Sequence, residues 1–341
     1  ATIIVTPSFE GCDGPTETFT ITVNPTADMN DSVDIVACDT EVTDIVEFTT
    51  NNTGGTTTYT WTNDTPGIGL VASGSGDLPS FTAINTGTEP IVAIVEVTPL
   101  FADDINCDGI SQTFTITVNP TAQVDQPQDQ LLCNGDELFV GFSTQNTIGI
   151  TSYNWMSDID FGNGLNGEGN IDFTAINNGT FPIIANITVT PYYNENGITC
   201  SGSTQLFSIT VNGNIDSNPT ISNYNGFQIS CFEVNDGFIN LSPEGGTPNE
   251  NEPFYQFEWI GPNNFISTNQ NISNLEPGTY NVSITDSLDC IFDFEYEINE
   301  PEQLEIFVVN QSDLQCNDVF DGIISVSPIG GTAPYSFEWV K

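Results

Sequence analysis

The feature that most narrows what this chain can fold into is that it repeats itself. Phe81-Thr-Ala-Ile-Asn85 returns as Phe173-Thr-Ala-Ile-Asn177, 92 residues later. Pro90-IVAIVEVT-Pro99 returns as Pro182-IIANITVT-Pro191 at the same offset, and the opening ATIIVTP matches the segment ending at Pro99. Phe19–Ala27 and Phe114–Ala122 both read FTITVNPTA, and FSITVNG closes a third copy at Phe207–Gly213. A second repeat type follows. CFEVNDGFINLSPEGGTP from Cys231 is answered by CNDVFDGIISVSPIGGTAP from Cys316, and each runs into an aromatic segment, Phe257-Glu-Trp259 and Phe337-Glu-Trp339. A fixed period of this size means an array of similar units. The repeats divide the chain into the tail of one unit at 1–25, full units at 26–120, 121–213 and 214–301, and the front of another at 302–341. Both ends fall inside a repeat, so the sequence reads as a window from a longer array.

Each unit reads as all-β. Phe114-Thr-Ile-Thr-Val118, Phe207-Ser-Ile-Thr-Val211 and Tyr280-Asn-Val-Ser-Ile284 alternate apolar and polar at period two, the mark of a strand with one buried face. No segment sustains a 3.6-residue apolar period. With 30 Gly and 20 Pro to break the strands, units of this size fit a tandem immunoglobulin-like β-sandwich. Each unit carries one tryptophan at a matched place, Trp61, Trp155, Trp259 and Trp339, with an aromatic residue two positions earlier. These are expected to be core residues, because large aromatics dominate core burial. The competing reading is an exposed platform that stacks on surface polysaccharide.

Charge then removes whole classes of function. The chain has 46 Asp+Glu against one Lys, no His, and a formal charge of −45. The cationic residue is Lys341, so there is no Arg. Nucleic acid is excluded as a partner, since phosphate neutralisation needs Lys and Arg. Histidine triads, His-ligated zinc and a P-loop lysine are excluded for the same want of residues. An anionic membrane surface would repel the chain, and no apolar run is long enough to insert in a membrane. Only carboxylate chemistry is left for catalysis. No acidic pair recurs at equivalent positions with aromatic neighbours, so the acids read as solvated turns and the protein as a non-enzyme. The 23 Phe, 9 Tyr and 4 Trp argue against a disordered acidic chain.

Cysteine spacing follows the same clock. Within-unit pairing joins Cys38 to Cys107, Cys133 to Cys200 and Cys231 to Cys290, each closing a loop worth about 4 kcal/mol on the loop-entropy model. Cys12 and Cys316 are left over in the incomplete units. Disulfides imply an extracytoplasmic location; the competing reading is a metal or redox site, for which no CxxC is present. Calcium takes oxygen ligands from loops, which makes two acidic clusters weak candidates. One is Asp103, Asp104 and Asp108 beside Cys107. The other follows the first cysteine of the second repeat type, Glu233 and Asp236, then Asp318 and Asp321.

The order Gly245-Gly-Thr-Pro248, Phe257-Glu-Trp259, Asn274-Leu-Glu-Pro-Gly-Thr-Tyr280-Asn-Val-Ser-Ile-Thr-Asp286 and Cys290 resembles the SprB-type repeat, and Gly330-Gly-Thr-Ala-Pro-Tyr-Ser-Phe-Glu-Trp339 matches it more closely. The earlier units, with ACDTEV, YTWTND, FTAIN and FTITVNP, look like the PKD-like domains that accompany it. The resemblance implies a stalk of sandwich domains in a very long surface adhesin of gliding Bacteroidota, exported by the type IX system and held outside the cell at the outer membrane. Its partners would be neighbouring repeats of the same chain, with surface polysaccharide as a further candidate. The alternatives are a segment of an extracellular filament and a carbohydrate-binding array. Asp31-Ser32-Val33 and Asp286-Ser287-Leu288 resemble the short triplet that Bacteroidota O-glycosylate. Asn24-Pro25-Thr26 and Asn119-Pro120-Thr121 join units without a Gly/Ser spacer, which predicts stiff joints.

Overall fold

A computed structural model describes residues 1–103, 105–316 and 321–340. The chain is a tandem array of immunoglobulin-like β-sandwiches, with three separate hydrophobic cores running from Met29 to Val118, Val124 to Val211 and Ile215 to Ile298.

The period-two segments are the strands. Thr56–Asn63 buries Tyr59, Trp61 and Asn63 and turns Thr56, Thr58, Thr60 and Thr62 outward. Ile91–Ala102 buries Ala93, Val95 and Val97 in the same way. In the first core these strands form one sheet in the order Ile35–Cys38, Gln112–Asn119, Ile91–Ala102, Thr56–Asn63, Ser73–Ser75. Ile35–Cys38 pairs parallel to Gln112–Asn119, and the other neighbours in that order are antiparallel. The opposite layer passes through bridges Val42 to Thr82 and Val46 to Leu78. The second core repeats this order as Gln130–Leu132, Gln205–Val211, Ile183–Glu195, Ile150–Ser157, Asn166–Glu168, faced by Glu137–Val140 paired with Ile171–Thr174. The third packs a four-stranded sheet, Phe265–Ser267, Gln256–Gly261, Gly278–Thr285, Ile291–Ile298, near the three-stranded Thr220–Ile221, Gly237–Asn240, Ile272–Leu275. Residues 302–340 contribute the hairpin of Glu305–Ser312 with Ile323–Ile329.

Trp61, Trp155 and Trp259 are core residues, at 3%, 3% and 1% exposure. Trp339 departs from the expectation at 63%. The strand of Trp259 lies between Phe265–Ser267 and Gly278–Thr285, with Tyr296 of Ile291–Ile298 against the indole, and among the described residues of 302–340 no equivalent strands cover Trp339. Two glycines shape the indole sites. A Cβ on Gly74 would lie 2.2 Å from Trp61, and one on Gly167 would lie 2.4 Å from Trp155. The short edge strands therefore need glycine so that the ring can lie against their backbone.

One strand in each of the first two units overshoots its core. Ile91–Ala102 pairs with Gln112–Asn119 only through Ile91–Val97, and its far end turns back to pair Leu100 and Phe101 with Asp108 and Cys107. Ile183–Glu195 does the same, placing Tyr193 opposite Cys200. The hairpin Ser8–Phe9 with Cys12–Asp13 places Phe9 opposite Cys12. These projecting hairpins carry Cys107, Cys200 and Cys12, whereas the late cysteine of the third unit, Cys290, lies in the turn that joins Gly278–Thr285 to Ile291–Ile298.

Candidate functional site: the joints between units

The two ends of a unit are chemically distinct. At the exit end, a cysteine follows or ends the strand that runs parallel to the last strand. Cys38 is opposite Asn119, and Leu132, beside Cys133, is opposite Val211. Both cysteines open the same turn. The N–H of Glu41 donates to the Cys38 carbonyl, and that of Asp136 to the Cys133 carbonyl. The acidic side chains reach back, Glu41 Oε2 accepting from Cys38 N at 2.8 Å and Asp136 Oδ2 from Cys133 N at 2.8 Å. The residue between, Thr40 or Gly135, has positive φ, 65° and 93°. Asp34 and Asp129 hold the same strand at its other end, accepting from Thr115 N at 2.7 Å and Ser208 N at 2.6 Å. Those hydrogen bonds to Thr115 and Ser208 hold both carboxyls below the usual carboxylate range.

At the entry end sits the projecting hairpin with the late cysteine. The disulfides follow from that placement. Cys38 bonds to Cys200 and Cys133 bonds to Cys290, with Cα–Cα distances of 5.6 Å in each. Both bridges cross from one unit to the next. This corrects the within-unit pairing of Cys38 with Cys107, Cys133 with Cys200 and Cys231 with Cys290; Cys107 and Cys231 are free thiols, as are Cys12 and Cys316. The reason is distance. Cys38 and the hairpin of Cys107 lie at opposite ends of Gln112–Asn119, about 23 Å apart at about 3.3 Å per residue, whereas a disulfide needs Cα atoms within about 7 Å. Cys231 and Cys290 are likewise separated by the length of Ile291–Ile298.

Around each bridge lies a polar clasp. Asn119 is fully buried; its Nδ2 donates to Glu195 O at 3.1 Å. Thr121 Oγ1 donates to Asp39 Oδ2 at 2.9 Å, and Thr147 Oγ1 to Glu89 Oε1 at 2.7 Å. At the next joint Asn212 Nδ2 donates to Asp286 Oδ2, and Thr247 Oγ1 donates to Asn212 Oδ1 at 2.9 Å. Asp286 is 1% exposed and accepts from Thr247 N, Leu288 N and Cys290 N as well. Four N–H donors hold a buried carboxylate that has no cationic partner, which is what such a group requires. Asn24 makes the corresponding contact at the first joint, donating to Ile105 O at 2.9 Å. The linkers also press on the hairpins. A Cβ on Gly109 would lie 2.3 Å from Ala27 O, and one on Gly202 would lie 1.8 Å from Ala122 O.

Of the acidic clusters, Asp104 and Asp318 lie outside the described residues. Asp236 Oδ1 accepts from Ser230 N at 3.0 Å and Asp321 Oδ1 from Gln315 N at 3.2 Å, so both clasp the backbone just before a cysteine. Asp103 and Asp108 flank the hairpin turn before and after Cys107. Among the described residues no group of three or more His, Cys, Asp or Glu is placed to hold a metal ion. Ser287, in the second glycosylation-like triplet, donates through Oγ to Thr247 O at 2.7 Å and so belongs to the joint of Asn212 and Thr247. Sequence reasoning placed Asn119 at a joint but missed its buried hydrogen bond to Glu195 O, and missed the joint roles of Asn212, Thr247 and Asp286. Their signal was the recurrence of Asn before each inter-unit linker.

Residues 308–340 match the SprB repeat. No curated protein matches the sequence. Among solved structures, the chain is similar to extracellular domains 3–5 of Drosophila OTK, at 12% identity over 81% of this chain and 96% of that one, TM-score 0.28. It is similar also to the N-terminal eight Ig domains of Down Syndrome Cell Adhesion Molecule, at 11% identity over 83% and 44%, TM-score 0.33. Chicken CNTN1 FN1–FN3 domains align at 10% identity over 76% and 97%, TM-score 0.25.

Proposed function

We propose that the chain is a non-enzymatic stalk segment of a cell-surface adhesin of the gliding type, working outside the cell as a spacer that carries tension. The observation that carries this reading is that each of two successive joints is crossed twice, once by backbone and once by a disulfide. A single linker transmits pull through one strand of peptide; a stapled joint shares it between two covalent paths and cannot swing freely. The SprB repeat at 308–340 supports the adhesin class. Disulfides support an oxidising, extracellular setting, and no helix among the described residues is long and apolar enough to cross a membrane. The burial of Trp61, Trp155 and Trp259 takes away the recurring aromatic platform that a carbohydrate-binding array would use.

Antibodies raised against residues 26–301 test the reading on unpermeabilised cells of the source organism. Surface labelling, with loss of attachment or gliding when the segment is deleted, is the expected result. Labelling only after permeabilisation, or normal attachment without the segment, overturns it.

A further inference from the structure

The four bridged cysteines obey one rule: the exit-end cysteine of a unit bonds to the late cysteine of the next. We infer that the rule continues beyond the two bridges present, and that Cys231 is an open half-staple whose partner is the late cysteine of the unit that contains Thr332. The inference is independent of the adhesin reading and needs only the geometry of the ends.

Cys231 shares the place and the turn of the exit-end cysteines, while its acidic clasp falls one residue earlier, Asp236 Oδ1 accepting from Ser230 N. Gln228 and Ile229 both donate N–H to Asn299 O, bringing the segment that leads into Cys231 to the asparagine that follows the last strand, as Asn212 N–H donates to Leu132 O just before Cys133. The N–H of Val234 donates to the Cys231 carbonyl, reproducing the turns at Cys38 and Cys133, and Glu233 takes the positive φ at 59°. The thiol is exposed.

The next unit already touches this end. Thr332 Oγ1 donates to Ser230 O at 3.0 Å, and Asn225 Nδ2 donates to Ala333 O at 3.1 Å. Thr332 is the sequence counterpart of Thr247, both following Gly-Gly. Thr247 lies against the end of the preceding unit through Asn212 and is tied through Asp286 to Cys290. The counterpart of Cys290 in the unit of Thr332 would therefore arrive beside Cys231; the one cysteine of 302–341 is Cys316, the counterpart of Cys231 itself.

Bond formation is a two-electron oxidation. Two thiols lose two protons and two electrons to a small-molecule disulfide such as oxidised glutathione. One thiolate displaces a glutathione thiolate, and the second thiolate displaces the other, giving the protein disulfide and two reduced glutathiones.

The test extends the full chain after Lys341 with a second copy of residues 262–301, since Trp339 corresponds to Trp259. The protein is oxidised in a glutathione buffer, alkylated and mapped without reduction. An acid-specific protease is used, because Lys341 is the only site for trypsin. The expected result is a linked peptide joining Cys231 to the added cysteine, with alkylation of Cys231 almost abolished and Cys316 still alkylated. A bond between the added cysteine and Cys316 overturns the inference. So does full alkylation of Cys231 in a protein whose Trp339 has become shielded from acrylamide quenching, the sign that the completed unit has folded. If Trp339 stays exposed, the same map of the protein secreted by its native cells decides: Cys231 linked to a cysteine outside 1–341 upholds the rule, and Cys231 free or bonded to Cys316 overturns it.

Discussion

Asn85 shows how much a single polar side chain does in these units. It is 1% exposed, its Nδ2 donates to Glu89 O and Val118 O at 2.8 and 2.7 Å, and its Oδ1 accepts from Gly87 N at 3.0 Å. Asn177 repeats this with Phe181 O, Val211 O and Gly179 N. The Asn of the FTAIN motif thus ties a loop to the last strand. Asn85→Ala and Asn177→Ala strand two carbonyls each and are expected to cost about 1–3 kcal/mol, read as a shift in the urea midpoint. Asp34 and Asp129 act at the same scale and give a pH dependence. Their carboxyls are held below the usual value of 3.8. A lowered folded value means the contribution is present above the unfolded value and is lost as pH falls through the folded one. Asp34→Asn with Asp129→Asn should flatten the loss of stability below about pH 4 relative to the parent. An unchanged acid limb in thermal melts would show that these clasps are not what titrates.

Tryptophan and glycine work as pairs at the scale of the strand. Trp155→Ala empties a packed site and is expected to cost about 3–5 kcal/mol, whereas Trp339→Ala, at an exposed position, should fall within about 0.5 kcal/mol. Gly202→Ala should loosen the joint without unfolding the second core, because its Cβ would collide with the linker carbonyl of Ala122; hydrogen exchange at residues 119–123 would rise while that of Ile183–Glu195 near its centre would not. The strands, the period of two and the buried Trp61, Trp155 and Trp259 were all legible, since alternation and repetition are local properties of sequence. The disulfide partners were not. Each full unit contributes one early and one late cysteine, so within-unit and between-unit pairing satisfy the same count. Only the overshoot of Ile91–Ala102 and Ile183–Glu195, at 12 and 13 residues against 8 and 7 for their neighbours Gln112–Asn119 and Gln205–Val211, places the late cysteine at the far end of its own unit. The role of the acids was misread for a related reason. Asp34 and Asp129, or Asp64 and Asp158, recur as acceptors of strand-edge N–H groups, and such pairs show only when repeats are aligned in space.

Across the whole molecule the charge of −45 meets one cationic side chain, so long-range electrostatics are almost wholly repulsive. Raising ionic strength from about 0.01 M to 1 M shortens the screening length from about 30 Å to about 3 Å, and the melting temperature should rise throughout. A fall would reveal attractive pairs that matter more than the net charge. The staples set the mechanical limit. Pulled from both ends, the reduced chain can extend to about 1,200 Å at about 3.5 Å per residue. With both bridges intact, the shortest covalent route uses less than half the residues and stops below about 600 Å. Force-extension curves with and without reductant would measure the difference.

The bridges also decide what happens when the backbone is cut. The loop from Cys38 to Cys200 and the loop from Cys133 to Cys290 overlap, so every peptide bond between Cys38 and Cys290 lies inside at least one of them. One proteolytic nick anywhere in that span leaves a single molecule. Within-unit bridges would have left each linker as a point of severance. Interleaving makes the linkers as tolerant of a nick as the sandwiches they join, and the two ends of a thread exposed to the proteases of its surroundings are parted in this region only by a cut in each of the three intervals Cys38–Cys133, Cys133–Cys200 and Cys200–Cys290, or by a cut together with a reductant.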